Sequence, residues 1–374
     1  MKKAIVSVIS DLYTDQRVNR TCNVLHDMGF DVLLVGRKLK ISNEITGRAY
    51  KIKRFRLPFE KGFLFYASYN LHLFFYLLFR KADLLVANDL DTLLPNYLIS
   101  RLKRIPVVYD SHEYFTGVPE IQNRPLVKKV WHSIERFIFP KLNHIITVND
   151  SIATLYKSEY KKEITVVRNI PAAFKIEKIK SRRELGLPVD KRIILLQGSG
   201  INVDRGGEEA VQAMLPQNGL HDVVLYIIGS GDVIATLKNY VKSENLEERV
   251  IFIPKMPAAE LFHYTANADV GLTLDKDTNI NYRFSLPNKI FDYIYAGLPV
   301  LATSLVEVRK IVETFNIGLI AENCNPEYLA GRIRQMLDDK NLYNEWKKNL
   351  IIAAQKLNWE TEKIKLIHVF EQFL

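Results

Sequence analysis

Compact apolar runs alternate along this chain with longer stretches in which apolar residues recur every three or four positions. The first kind predicts buried β-strands and the second amphipathic helices, so their alternation predicts repeated βα units and parallel sheets. In the first half the predicted strands are AIVSVI (4–9), DVLLVG (31–36), KIKRFRL (51–57), DLLVAN (83–88), PVVYD (106–110), HIITVN (144–149) and ITVVRN (164–169). Helical patterns fill most gaps, among them 17–28 and 125–139. A second series comprises RIILLQG (192–198), VVLYIIG (223–229), VIFIP (250–254), DVGLTL (269–274), PVLAT (299–303) and IGLIA (317–321). The charged, turn-prone stretch 171–191 between the series reads as a linker. Two consecutive α/β domains are expected, 1–170 and 171–357. A last helix over 358–374 has an apolar face that the first domain could cover.

Composition narrows the class. The 374 residues are 48% hydrophobic and 25% charged, which excludes a disordered chain, a collagen and a disulfide miniprotein. Cys22 and Cys324 stand far apart without metal-ligand spacing, so free thiols in a reducing compartment are expected, and no zinc site. The apolar run in MKKAIVSVISD is too short for a secretory signal. Ser68, Asn70 and His72 interrupt the stretch 63–79, leaving less than the ~20 apolar residues of a spanning helix. A soluble, cytoplasmic protein is expected. Its net charge of +10 is unevenly spread: residues 1–170 hold 27 Lys and Arg against 16 Asp and Glu, and the remainder is −1. No zinc-finger spacing, RNP-like aromatic motif or basic zipper points to nucleic acid. The basic half suits either a solvated surface or peripheral contact with the anionic inner face of a membrane.

Several loops carry residues with chemical potential. ISDLYTDQRVNR has no glycine between its strand and helix, against a G-x-G-x-x-G dinucleotide site. Arg17 near that helix start opposes the helix dipole unless an anion, Asp15 or a ligand, comes close. LLQGSGINVDRGG (195–207) joins a strand to a helix through a glycine-rich turn, with Arg205 beside Gly206, and could seat a phosphate. IIGSGD (227–232) repeats the pattern. In NYRFSLPNKIFDYIYAGLPVLAT (281–303), Pro287 predicts a helix starting near Ser285 or Leu286. Lys289 then lies in the first turn, where a cation is disfavoured by ~0.3–1 kcal/mol unless an anion binds. Asp292 follows on the same face. The D-x-D of Asp89 and Asp91 reads as a turn and helix cap, and no metal site is expected there.

The segment 281–303, together with VVYDSHEYF (107–115), HIITVNDSI (144–152), QGSGINVDRGG and the terminal NWETEKIKLIHVFEQF, resembles the retaining glycosyltransferases of family 4. The resemblance covers nearly the whole chain. It implies a GT-B fold, with two Rossmann-like domains facing a central cleft and the last helix returning to the first domain. It implies transfer of a sugar from a nucleoside diphosphate sugar to a hydroxyl acceptor, a polysaccharide or lipid-linked molecule, in cell-surface polysaccharide or glycolipid synthesis, without cofactor or metal. His112 would then sit beside the donor sugar, with Arg17, Asp110 and Glu113 on the acceptor side. Arg205 and Lys289 would hold the diphosphate, helped by backbone N–H groups around Ser199, Gly200, Ser285, Leu286 and Asn288. Asp292 would bind the ribose, and Lys255 and Met256 would lie beside the base. The sequence departs from the family where Phe284 replaces the first acid of the E-x7-E motif and Ser199 replaces a basic residue. A sugar-nucleotide epimerase and a catalytically silent binding subunit are the alternative readings.

Overall fold

Strands buried on both faces need continuous apolar sequence, and each such run forms one. The computed structural model describes residues 1–374 apart from Thr14, Ile41, Asn123, Ala173, Phe174, Lys175 and Glu177, and apart from the side chains of Pro119 and Glu120. The chain divides into two units, Met1–Asn169 with Glu360–Leu374, and Ile170–Trp359.

In the first unit the order is β1 (Lys3–Asp11), α1 (Gln16–Asp27), β2 (Asp31–Arg37), β3 (Lys51–Phe55), α2 (Gly62–Leu78), β4 (Leu84–Asn88), α3 (Leu90–Lys103), β5 (Val107–Ser111), the single turn α4 (Pro119–Gln122), α5 (Pro125–Ile138), β6 (His144–Thr147), α6 (Asp150–Tyr160) and β7 (Thr165–Val166). The sheet order is β3-β2-β1-β4-β5-β6-β7, with every pairing parallel. The central strands β4 and β5 are buried throughout. β7 is shorter than the run ITVVRN predicts, because the next backbone groups are taken by side chains. Arg17 donates to the Val167 carbonyl (2.9 Å), and Arg168 N donates to the Glu362 carboxylate (2.9 Å).

The second unit runs β8 (Arg192–Gly198), α7 (Gly207–Ala213), β9 (Val223–Gly229), α8 (Ile234–Ser243), β10 (Val250–Pro254), α9 (Ala258–Asn267), β11 (Val270–Thr273), α10 (Ile280–Arg283), α11 (Lys289–Ala296), β12 (Val300–Thr303), α12 (Val306–Phe315), β13 (Gly318–Ala321), α13 (Pro326–Asp338) and α14 (Lys340–Lys356). Its parallel sheet has the order β10-β9-β8-β11-β12-β13. In both sheets the strand order reverses beside the first strand, between β1 and β4 and between β8 and β11. In open α/β sheets, ligands bind at the carboxyl ends of the strands flanking that reversal.

The expected linker is not one. Its residues 173–175 and 177 lie outside the described residues, but its later part belongs to the second unit. Arg182 donates to the carbonyls of Asn267 and Lys191 and pairs with Asp269 (2.8 Å), and Leu187 is buried. The last helix, α15 (Trp359–Glu371), lies in the first unit apart from its opening residue, with Leu366 and Phe370 buried and Glu362 receiving Arg168 N. Cys22 is buried and Cys324 half-buried, and both are free thiols.

Candidate active site

In the first unit the chemistry gathers where β4 and β5 end. Asp110, almost wholly buried at the end of β5, forms a forked pair with Arg17 of α1: Nη2–Oδ1 2.7 Å and Nε–Oδ2 3.1 Å. Burial alone would raise the Asp110 pKa, but the Arg17 and His112 charges outweigh it and hold this carboxyl well below its usual range. Asp15 does not pair with Arg17; it caps α1 by accepting from Val18 N (3.1 Å). The anion that relieves Arg17 from the helix dipole is therefore Asp110.

His112 follows directly. Its backbone N donates to Asp89 Oδ1 (2.8 Å), its Nδ1 lies 3.2 Å from Asp89 Oδ2, and its Nε2 lies 3.2 Å from Asn88 Oδ1 and 3.5 Å from Asp110 Oδ2. Burial works to lower its pKa, yet Asp89 and Asp110 raise it to about 9. At neutral pH His112 is an imidazolium and donates hydrogen bonds; it is not a base. Glu113 supplies a carbonyl that accepts from Ser111 Oγ (2.8 Å) and fixes the loop.

In the second unit the site forms at the ends of β8 and β11. Asp275, fully buried just past β11, receives Arg205 Nη1 on Oδ1 (2.7 Å) and Lys289 Nζ on Oδ2 (3.2 Å). Burial opposes ionisation of Asp275, but the two cations hold its pKa below the usual value. The Arg205 guanidinium also stacks 4.1 Å over the Tyr282 ring. Gly206 brings this loop in: its φ is +77°, and a Cβ there would run into the Leu274 backbone. Ser199 and Gly200 lie exposed in the turn after β8, which is braced by the second glycine turn through Ile201 N to Ser230 O (2.9 Å).

Helix α11 begins at Lys289, a turn later than the sequence predicts. The Ser285 and Phe284 N–H groups bond back to Tyr282 and Ile280, finishing α10, so the chain must pass Pro287 before a new helix starts. Ser285 therefore has no free N–H for a phosphate, and its hydroxyl also donates to Tyr282 O (2.9 Å). Leu286 is half-buried and Asn288 exposed at the helix mouth. Asp292 does not pair with Lys289. It accepts from Gln197 Nε2 (3.0 Å), whose Oε1 accepts from Thr265 (2.7 Å), and burial pushes the Asp292 pKa up to about 6 against that bond. Lys255 and Met256 follow β10, two strands from β8 along the sheet.

These arrangements match known proteins over the whole length. The profile described as "Glycosyltransferase Family 4" matches residues 15–170, and "Glycosyl transferases group 1" matches 177–351. The chain belongs to glycosyltransferase family 4. An uncharacterized glycosyltransferase of Methanocaldococcus jannaschii is 23% identical over 257 residues, 65% of this chain and 63% of that protein, so the match spans just under two thirds of the curated relative. Among solved structures, sucrose-phosphate synthase from Thermosynechococcus elongatus superposes with a TM-score of 0.79 at 17% identity, covering 100% of this chain and 99% of that one. HepE of Anabaena, in complex with UDP and glucose, gives 0.74 at 15% identity, with both chains covered in full. At these identities the likeness establishes the GT-B fold.

Two residues of this glycosyltransferase went unnoticed in its sequence, and a third was given another role. Asp275 ends the run DVGLTLD at the switch point, which was its available signal. Gln197 hides inside β8. Asp89 was read as a cap, but its side chain makes no capping bond to α3. Its carboxylate serves His112 instead, on a backbone at φ +58°, ψ 165°, a region costing about 1–3 kcal/mol for a residue other than glycine. Phe284 stands half-buried at the end of α10, in the place of the family's first acid.

Proposed function

We propose that this glycosyltransferase moves a sugar, with retention at the anomeric carbon, from a nucleoside diphosphate sugar to a hydroxyl of a polysaccharide or lipid-linked acceptor. The observation that carries the reading is the convergence of Arg205 and Lys289 on one buried carboxylate beside a glycine turn. Preorganised cations at that place stabilise the charge that the leaving diphosphate gains in the transition state. The UDP in the HepE complex supports the donor class. Asp292, next to the same helix start, suits the ribose hydroxyls, because its carboxylate keeps acceptor positions beyond the single bond to Gln197.

In this reading His112, whose ring nitrogens face Asp89 and Asn88, lends positive charge beside the transferred sugar. No side chain serves as a covalent nucleophile; the acceptor attacks from the leaving-group face, and a phosphate oxygen takes its proton. The positive charge comes from Arg205 and Lys289, so no resident metal or cofactor enters the step. The test is calorimetry with nucleoside diphosphates on the parent and on Lys289→Ala, paired with an assay of donor hydrolysis. The variant should bind about 2–3 kcal/mol more weakly, the scale of a charge-assisted contact. Unchanged affinity in a folded variant would remove Lys289 from the donor site.

A further inference from the structure

We infer that His132, Glu135 and Glu159, on helices α5 and α6 of the first unit, bind one divalent transition-metal cation, with zinc as the ion that fits. One ring nitrogen of His132 and one carboxylate oxygen of each glutamate lie within 4.8 Å of one another. His132 and Glu135 stand three residues apart on α5 and so share a face. Glu159 comes from the last turn of α6. That turn is held to the end of α5 by Phe139, whose ring stacks on Tyr160 at 4.4 Å.

Acidic groups often gather on a protein surface without an ion, but Glu135 is fully buried. Its Oε1 accepts from the Tyr160 hydroxyl (2.6 Å), and its Oε2 has no hydrogen-bond partner among the described residues. Buried polar atoms are almost always paired, so an open oxygen beside a second carboxylate and an imidazole marks the place of a ligand. No Lys or Arg among the described residues forms an ion pair with Glu135 or Glu159, so their charge is left for a cation from outside. Tyr114 donates to Glu159 Oε2 (3.0 Å), which gives each carboxylate one oxygen oriented by a tyrosine hydroxyl. Metal-binding carboxylates are held by outer partners of this kind.

The ligand set selects the ion. Calcium and magnesium take all-oxygen shells, whereas an imidazole nitrogen favours zinc and its first-row neighbours. Two carboxylates match the charge of a dication. Ligand atoms that share one zinc ion stand roughly 3–3.5 Å apart, so a small side-chain adjustment closes this set around it. The sequence conceals the site because it uses no cysteine and takes its third ligand from another helix. Tyr114 lies in the loop that carries His112, so the cation braces α5, α6 and that loop together and takes no part in sugar transfer. The inference rests on the first unit alone and is independent of the donor chemistry.

The experiment is calorimetric titration of the full chain with zinc, magnesium and calcium salts, without nucleotide, after a chelator has been used and removed. A proton is the other way to neutralise Glu135, so zinc competes with it and the titration is run at mildly alkaline pH. The parent should bind one zinc ion per chain, about a hundredfold or more tighter than magnesium or calcium. Glu135→Gln keeps the shape and the Tyr160 bond, yet should lower zinc affinity about a hundredfold, as should His132→Ala. His221→Ala, at an exposed histidine of the second unit, should bind zinc as the parent does. Zinc should raise the Tm of the parent and leave that of Glu135→Gln where it was. No zinc binding by the parent would overturn the inference. Unchanged zinc affinity in Glu135→Gln or in His132→Ala would overturn it in favour of an adventitious ion only. Magnesium or calcium bound as tightly as zinc, and untouched by His132→Ala, would overturn the imidazole ligation and with it the inference.

Discussion

At the scale of single residues, each unit holds a carboxylate that restrains a cation, Asp275 in the second and Asp89 in the first. Asp275 neutralises Arg205 and Lys289, so the phosphate-binding charges are already fixed without a ligand. Asp275→Asn leaves those two cations facing each other without a counter-ion. The variant should melt lower than the parent and should regain more stability from a nucleoside diphosphate than the parent gains, because the ligand then supplies the missing charge. Thermal shift with and without the nucleotide measures both effects; an equal ligand-induced shift in the two proteins would contradict the argument. Asp89 does the same for His112. The imidazole pKa, about 9 in the folded protein against an ordinary 6.5, means that this stabilisation is complete below pH 6.5 and is lost as pH rises through 9. Asp89→Asn keeps the shape of the side chain and removes its charge, so the alkaline limb of the pH–rate profile should move to lower pH. An unmoved limb would mean that the imidazolium takes no part in transfer.

Elements were legible where burial alone decides them. The central strands announce themselves as apolar runs, because a parallel strand covered on both faces has no polar positions to confuse the pattern, whereas the edge strand β3, KIKRF, shows as alternation. The start of α11 was not legible: Pro287 favours a first turn, but backbone bonds closing α10 through Ser285 use up that stretch first. Partnerships such as Asp89 with His112, or Gln197 with Asp292, were hidden because strand order creates them and sequence distance does not. The same holds for Glu135 on α5. It is fully buried, Tyr160 donates to one oxygen (2.6 Å), and the other oxygen has no hydrogen-bond partner among the described residues. Burial pushes its pKa up to about 7 from 4.5, so the folded state holds a proton that the unfolded state releases between those values. Stability therefore falls as pH rises from about 4.5 to 7. Glu135→Gln keeps the acceptor for Tyr160 and removes the ionisation. It should raise stability by about 1–3 kcal/mol at pH 8 and change it little at pH 4. Denaturant melts at the two pH values decide; a gain that is equal at both would mean that packing, not charge, is responsible.

At the scale of the whole molecule, the chain leaves the first unit at Asn169 and comes back to it at Glu360, after the entire second unit has been made. The first unit is completed only by α15. That helix contributes Leu366 and Phe370 to the core, and Glu362 to the backbone of Arg168, beside the point where the chain departs. Its chemistry explains why the tail reads as amphipathic in sequence: its apolar side belongs to a surface made about two hundred residues earlier. Phe370→Ala should then weaken the first unit specifically. A fully buried phenylalanine truncated to alanine costs about 3–5 kcal/mol, enough to open the region around α15 well before the second unit yields. Hydrogen exchange followed along the sequence tests this. Faster exchange should appear in β6, β7 and α15, while α13 and β8 keep the protection they have in the parent. Uniformly faster exchange across both units would show that the two units unfold as one, and that the returning helix stabilises the chain as a whole.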